Sequence, residues 1–174
     1  MNPSTLDPRP PSQRKLVLPG ERTTLVLATV ASAREQLPGH TEDDVTALIE
    51  EGHLLHAWNI GLGQARDIRI WPECISHYLR TAGSQPSTIN HQPSTRRYPR
   101  TLDQVIAQML QTNKPYLTSS QLRLLLNCGP THILHLVEAG ALSLMPGTTY
   151  TRGPQGAALI TIQSLKAFFQ NRLA

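Results

Sequence analysis

Apolar residues at helical spacing lead up to a glycine at two places in the chain. The later stretch is Leu136-Val-Glu-Ala-Gly-Ala-Leu142, and the earlier one, 88 positions before it, is Leu48-Ile-Glu-Glu-Gly-His-Leu54. The apolar residues that lead up to each glycine recur at i, i+3 and i+4, which places one stripe of a helix into a core. They are Ile133, Leu136 and Val137 in the later copy, and Val45, Leu48 and Ile49 in the earlier one. Gly140 and Gly52 then fall where helices commonly end in the left-handed conformation. The pattern therefore predicts two copies of one unit, each with a short helix, a glycine stop and a return strand.

The residues around the earlier stretch predict the order helix, turn, helix, hairpin, helix. A threonine can cap each of the first two helices, and a proline suits the first turn of the third. The two short β-rich runs around a glycine-bearing loop favour a hairpin, or wing. The predicted elements are a lead-in at 23–27, helices from Thr29 to Leu37 and Thr41 to Gly52, strands at 54–58 and 68–70, and a helix from Pro72.

The later stretch lies in a second series of the same order. Gly129 and Pro130 take the cap and first helical positions of its second helix. The apolar residues of the last helices correspond at an offset of 90 rather than 88, which indicates a longer second wing. The predicted elements are a helix capped by Thr118 and ending at Asn127, a helix from Pro130 to Gly140, strands at 142–145 and 158–162 around a loop, and a helix with Leu165, Phe168 and Phe169.

These patterns divide the chain into five segments and predict a mainly α fold with small β-hairpin wings, of the α+β class. A Pro-, Ser- and Arg-rich composition predicts disorder in the tail, and the linker, with three prolines and no acidic residue, is predicted to be extended and mobile. Thr101 and Gln104 match a capping box ahead of an amphipathic helix. The segments are a tail (1–22), the first repeat (23–80), a linker (81–100), a connecting helix (101–113) and the second repeat (114–174).

Charge separates the two repeats more sharply than any other property. The 174 residues carry a net charge of +4, but residues 24–79 hold three basic and eight acidic side chains, a net −5. Residues 80–113 are net +3, and residues 114–174 are net +4 with Glu138 as the one acidic residue. A local basic excess favours a polyanionic partner through counterion release. With 39% hydrophobic residues, the chain can fill one medium core or two small ones, and the repeat favours two.

Several functional classes have no support in the sequence. Two cysteines, Cys74 and Cys128, fall in different repeats, so a disulfide framework or a zinc site is not indicated and reduced structural thiols are expected. No apolar run approaches a membrane span and no signal-peptide core is present, which favours a cytoplasmic, nucleoid-associated protein. No phosphate loop, nucleophile elbow or metal motif occurs. We therefore expect a protein that is not an enzyme and has no cofactor or bound metal.

The stretch from Leu117 to Leu142, followed by a loop, a strand and a helix with Leu165 and Phe168, resembles the winged helix-turn-helix of the excisionase and MerR-like DNA-binding group. The resemblance covers residues 116–172 and, more weakly, residues 24–80. It implies tandem winged helix-turn-helix domains that bind double-stranded DNA. The second helix, from Pro130, would enter the major groove, and the wing would contact the minor groove or its phosphates.

The resemblance also implies which side chains meet DNA. Three lie near the start of the second helix, and others lie on the preceding helix and the wing: Thr131, His132, His135, Arg123, Tyr150, Thr151 and Arg152. Because the corresponding helix of the first repeat starts with Glu42-Asp-Asp44, phosphates would repel it. The first repeat is therefore expected to bind a protein, or to touch DNA only through Arg66 and Arg69.

The sequence leaves other interpretations open. Thr131, His132 and His135 also fit an ordinary solvated helix face, and His40, His53, His56 and His77 fit surface or turn positions, whereas Trp58 and Trp71 fit packing positions. The expected activity is that of a transcriptional regulator or an excisionase-like recombination directionality factor. Alternatives are an assembly module without DNA affinity, or a replication-initiator-like paired winged-helix protein. Homo-oligomer contacts through the acidic repeat or the 101–113 helix, and a recombinase or other protein partner, remain candidates.

Overall fold

The computed structural model describes residues 26–82, 98–110, 112, 114–150 and 158–174. Over these residues the fold is mixed α+β, with seven helices and two small antiparallel sheets. The tail expected at 1–22 and most of the expected linker lie outside this range. Within the described ranges, no helix is both long enough and apolar enough to cross a lipid bilayer.

The first repeat forms a three-stranded sheet with two helices before its hairpin and one after it. Its elements are β1 (Ala28–Thr29), α1 (Val30–Gln36), α2 (Glu42–Glu50), β2 (Ala57–Asn59), β3 (Ile68–Ile70) and α3 (Pro72–Ala82). The strand order is β1-β3-β2, and Ile70 pairs with Ala28 on one side and Ala57 on the other. This order of elements agrees with the helix, turn, helix, hairpin, helix prediction.

The second repeat has the same order of elements with a shorter sheet. After the connecting helix α4 (Leu102–Met109) come β4 (Tyr116–Thr118), α5 (Ser119–Leu126), α6 (Pro130–Glu138), β5 (Leu159–Thr161) and α7 (Ile162–Asn171). Leu144 makes a single antiparallel bridge to Ile160, so the strand predicted at 142–145 is reduced to one bridging residue. The loop after it, from 151 to 157, lies outside the described residues.

Threonine hydroxyls cap five of the described helices, four of them at positions that the sequence predicts and the fifth, Thr161, at the start of α7. Thr29, Thr41, Thr101 and Thr118 accept hydrogen bonds from backbone N–H groups three residues on, at 3.1 to 3.3 Å. In three of these caps the side chain at the third helical position bonds back to the threonine N–H, which completes a capping box. These caps satisfy N–H groups that have no partner within the helix.

The two glycine stops have the same geometry. Gly52 and Gly140 adopt φ angles of 76° and 71°. In the first repeat the carbonyl oxygen of Leu48 accepts hydrogen bonds from the next two backbone N–H groups after the glycine, and in the second repeat Leu136 does the same. The 88-residue repeat in the sequence is therefore also a repeat in backbone hydrogen bonding.

One hydrophobic core runs through both repeats and the connecting helix, which corrects the expectation of two small cores. The N–H of Leu27 donates to the carbonyl oxygen of Leu125 at 2.9 Å. The carboxyl-terminal residues pair with β2, since Asn59 N–H donates to Arg172 and Ala174 N–H donates to Ala57. Periodicity within each repeat could not predict these contacts, because they join residues more than 95 positions apart in the chain.

Helix α4 packs inside the molecule. Val105, Ile106 and Met109 are at most 4% exposed, so the apolar stripe that made this helix a candidate for self-association is already covered. The expected linker also needs correction at its carboxyl end. Tyr98 is only 9% exposed and packs into the common core rather than extending into solvent.

Candidate nucleic-acid interface

Helices α5 and α6 of the second repeat form a two-helix unit with a tight turn. Asn127 ends α5 with a left-handed φ of 50°, Gly129 caps α6, and Pro130 is its first residue. Buried Leu122 and Ile133 hold the two helices to the core. The short turn and the fixed φ of proline set the angle at which α6 leaves α5.

Two of the predicted site residues lie on the solvent side of α6. Thr131 and His135 are exposed and four residues apart, so they share one helix face, whereas Ile133 and Leu136 are buried on the other. Arg123 is exposed in the last turn of α5, where a cation suits the negative end of the helix dipole. We call these three residues, Arg123, Thr131 and His135, the α5–α6 surface.

His132 lies between the two repeats instead of on that surface. Its Nε2 atom is 2.9 Å from the backbone carbonyl oxygen of Ile60 in the first repeat. Because a carbonyl oxygen only accepts, Nε2 carries the proton and donates. This bond uses one of the two ring nitrogens of His132, and it ties the start of α6 to the loop after β2.

Of the three predicted wing residues, the structure describes Tyr150 but not Thr151 or Arg152. Tyr150 donates from its hydroxyl group to the carbonyl oxygen of Pro130 at 2.9 Å, which ties the start of the wing to the first residue of α6. Thr151 and Arg152 lie outside the described residues, so their predicted DNA contacts stay predictions. The start of the wing is therefore held against α6, and the position of its basic residue, Arg152, is not described.

Neither arginine assigned to the first repeat offers an isolated cation. Arg66 is exposed but forms an ion pair with Glu50 at 2.8 Å. Arg69 is 6% exposed and donates to the carbonyl oxygens of Leu126 and Asn127, and it also pairs with Asp67. The expectation that Arg69 touches DNA is inconsistent with this position, because a buried and fully engaged guanidinium cannot reach a phosphate.

The first turn of α2 is the acidic counterpart of the α5–α6 surface. At the 88-residue offset, Asp43 corresponds to Thr131 and Asp44 to His132. Asp44 accepts from the backbone N–H and the hydroxyl of Thr41, and these hydrogen bonds lower the pKa of its carboxyl group. A helix start that holds ionised carboxylates for capping is unfavourable next to phosphate.

A buried histidine is the main polar feature that sequence reasoning missed. His56, expected at the surface, is 6% exposed, and its Nε2 donates to the carbonyl oxygen of Arg100 at 3.1 Å. Burial lowers the pKa of the ring, although the bond to Arg100 opposes this shift. Its place in the apolar run Leu-Leu-His-Ala-Trp at 54–58 was the available signal. Trp58 and Trp71 are fully buried, as predicted.

Both cysteines are free thiols, in agreement with their expected structural role. Burial raises the pKa of Cys74 to about 12 and that of Cys128 to about 11. Protonated thiols with such values are weak nucleophiles at neutral pH. Among the described residues, no group of three or more His, Cys, Asp or Glu side chains is arranged to hold a metal ion.

A scan against profiles of known protein families, a search of curated proteins and a search of solved structures each found no match. Any function assigned to the chain therefore depends on its own residues. The arrangement that remains is an exposed helix start without carboxylates, a cation on the preceding helix, and a wing tied to the helix. Such a surface can donate hydrogen bonds to phosphate and base edges.

Proposed function

We propose that this protein binds double-stranded DNA through the α5–α6 surface of the second repeat. Its two repeats would be tandem winged helix-turn-helix units similar to those of the excisionase and MerR-like group. Helix α6 would face the major groove, and the wing that begins at Tyr150 would lie along the neighbouring backbone. The activity would be that of a transcriptional regulator or a recombination directionality factor.

One observation carries the proposal: corresponding helices in one molecule differ in charge at their exposed start. Asp43 is exposed at the start of α2, and Thr131 is exposed at the same position of α6. Arg123 on the preceding helix adds a cation beside the second copy. Because phosphate contacts supply most of the affinity for a duplex, this difference favours α6 as the DNA-binding helix.

The first repeat would then act as a support for the second. His132 donates to Ile60, and Arg69 donates to the end of α5, so the first repeat holds both helices of the two-helix unit. Fixing these helices lowers the entropy that is lost when they dock on a duplex. In this proposal His132 and Arg69 position the site, and the α5–α6 surface makes the contacts.

A salt series with the full-length protein tests the proposal. A short fluorescein-labelled duplex of random sequence is titrated at several salt concentrations, and binding is followed by anisotropy. We expect affinity to fall steeply with salt, and the Arg123→Ala variant to give a log–log slope shallower by about one phosphate contact. Arg66→Ala is the control, because Arg66 already pairs with Glu50.

Two results would contradict the proposal. If the wild-type protein does not bind the duplex at low salt, the alternative of an assembly module without DNA affinity gains support. If Arg66→Ala lowers the slope as much as Arg123→Ala does, binding is spread over the surface and α6 has no special role.

A further inference from the structure

The repeats can be aligned position by position through their hydrogen bonds. Trp71 N–H donates to the carbonyl oxygen of His56 at 2.8 Å, and Thr161 N–H donates to that of Ser143 at 3.0 Å. Thus Trp71 corresponds to Thr161, and His56 to Ser143. Helices α3 and α7 begin directly after Trp71 and Thr161, so their residues correspond at the same offset of 90.

In the first repeat, the segment from Tyr98 to Arg100 occupies the groove between the hairpin and α3. The Tyr98 hydroxyl accepts from Trp71 Nε1 at 3.1 Å and donates to Glu73 at 3.0 Å, while its ring lies 5.1 Å from that of His56. His77 contacts the same ring at 5.5 Å. Four residues of the first repeat thus hold this tyrosine: His56, Trp71, Glu73 and His77.

Arg100 completes the contacts of the segment. Its guanidinium donates to Glu73 at 2.6 Å, and its carbonyl oxygen accepts from His56. Glu73 therefore receives hydrogen bonds from both Tyr98 and Arg100. The groove of the first repeat is matched in shape and charge to an aromatic residue followed by a cation.

The four corresponding positions of the second repeat all line an open groove. They are Ser143, Thr161, Gln163 and Ala167, and the volume of the groove is about 660 Å³. Its walls come from the turn after α6, the residues around the Leu144 bridge and one face of α7. All of its lining residues lie in the second repeat, so no described residue of the tyrosine segment or of α4 lines it.

We infer that the groove of the second repeat, which we call the α7 groove, binds an extended segment of a partner protein that carries an aromatic residue followed by an acidic one. The aromatic part follows from the first repeat, where the same four positions hold Tyr98. Ser143 and Ala167 replace two histidines, so the α7 groove is wider and admits an aromatic ring without a close fit to its edges.

The acidic part follows from two charge changes at corresponding positions. Gln163 replaces Glu73, which removes the carboxylate that binds Arg100. Arg172 replaces Ala82 and adds a cation to the lining. Its guanidinium also donates to the carbonyl oxygens of Asn59 and Gly61 in the first repeat, and these neutral acceptors do not cancel its charge. Among the described residues, no carboxylate lines the α7 groove. A carboxylate on the partner would therefore be attracted where a cation would be repelled.

A second copy of this chain is a poorer occupant than a separate partner. The copy's tyrosine segment is already bound in its own first repeat, and it carries a cation, Arg100, at the place where the α7 groove has Gln163 instead of the carboxylate of Glu73. This inference does not depend on DNA binding, because the lining residues of the groove do not include Arg123, Thr131 or His135.

Two peptides test the inference with the full-length protein. One has the chain's own sequence from Tyr98 to Leu110, and the other has the same sequence with Arg100→Glu. Binding is measured by anisotropy of a labelled peptide and by backbone amide shifts of the protein. We expect the Glu peptide to bind about fivefold or more tightly than the natural one, with shifts at Ser143, Gln163 and Ala167.

Filling the groove provides the matched control. Ala167→Trp places a large side chain on an exposed face of α7, where folding tolerates it, and should weaken the Glu peptide on the order of tenfold or more. Ala31→Trp makes the same substitution at an exposed position of α1 and should leave binding unchanged.

Three outcomes would overturn the inference. The first is tighter binding of the natural peptide than of the Glu peptide. The second is peptide binding that survives Ala167→Trp. The third is a dimer of the wild-type protein, seen by sedimentation without peptide, that Ala167→Trp converts to a monomer, because a second copy would then be the occupant.

Discussion

Arg69 of the first repeat donates a hydrogen bond from its Nε atom to the backbone carbonyl oxygen of Leu126 in the second repeat, at 2.6 Å. The guanidinium also donates to Asn127 at 3.2 Å and pairs with Asp67. A side chain that looked like a surface cation in the sequence is therefore a buried connection between the repeats. The guanidinium donates to the carbonyl oxygen of Ile68 as well, so its removal takes this donor away from three carbonyl oxygens and a carboxylate.

Arg69→Met should lower the free energy of unfolding by about 3 kcal/mol, because unpaired buried polar groups keep their full desolvation cost. Urea denaturation followed by circular dichroism measures the change. Arg66→Met is the control, since Arg66 is about half exposed and its ion pair should contribute less than about 1 kcal/mol. Equal losses in the two variants would show that Arg69 does not join the repeats.

Phe169 and Leu79 form a matched pair for testing the shared core. They occupy corresponding positions of α7 and α3, yet Phe169 is fully buried and Leu79 is 40% exposed. Phe169 packs edge-to-face on Trp58 of the first repeat, with ring centroids 5.2 Å apart. One of the two corresponding positions therefore connects the repeats, and the other faces solvent.

Phe169→Ala should destabilise the protein by about 3–5 kcal/mol, and Leu79→Ala by about 1 kcal/mol or less. Because the core is continuous, calorimetry of the wild-type protein should give one cooperative transition. Two separate transitions, with Phe169→Ala affecting only the later one, would instead indicate two independent domains.

His56 should make stability depend on pH. Its pKa is lowered in the folded state by burial, and its buried Nδ1 atom has no hydrogen-bond partner in the part of the chain that the structure describes. Below a pH of about 6.5, the imidazole of His56 therefore takes up a proton more readily in the unfolded chain than in the folded protein. The contribution of neutral His56 to the free energy of unfolding is fully present above that pH and is lost as the pH falls below it.

The free energy of unfolding of the wild-type protein should thus fall between about pH 7 and pH 5, by at most about 1.4 kcal/mol per pH unit from this group. In His56→Leu the slope over this range should become shallower, whatever the stability of the variant at neutral pH. Burial raises the pKa of the neighbouring Tyr98 to about 12, so its hydroxyl stays neutral throughout. An unchanged slope in His56→Leu would rule out His56 as the source.

The elements of the fold were predictable because their signals are local. Thr118 and Gln121 are three residues apart and form a capping box, and Gly140 ends its helix through its own φ angle. The joining of the repeats was not predictable in this way. Nothing within a few residues of Arg69 or Phe169 indicates that their partners lie in the other repeat.

Local signals also predicted part of the candidate site, but they did not predict its long-range contacts. The helical period placed Thr131 and His135 on the exposed face of α6, where the structure has them. The same period placed His132 beside them, but its partner Ile60 is 72 residues away. Long-range packing thus decides which residues of an exposed-looking helix remain accessible.

An exchange between corresponding positions tests DNA binding by α6 most directly. Thr131→Asp gives α6 the residue that α2 has at position 43, and Asp43→Thr makes the reverse change. Both residues are exposed in a first helical turn, where an aspartate is favoured by the helix dipole, so Thr131→Asp should fold normally. The measurement is the dissociation constant of each full-length variant for one labelled duplex at one low salt concentration.

We predict that Thr131→Asp raises the dissociation constant by about tenfold, because its carboxylate would face phosphates. Asp43→Thr should stay within about twofold of the wild-type protein. Unchanged binding by Thr131→Asp, or a larger response to Asp43→Thr, would contradict the claim that α6 of the second repeat binds DNA.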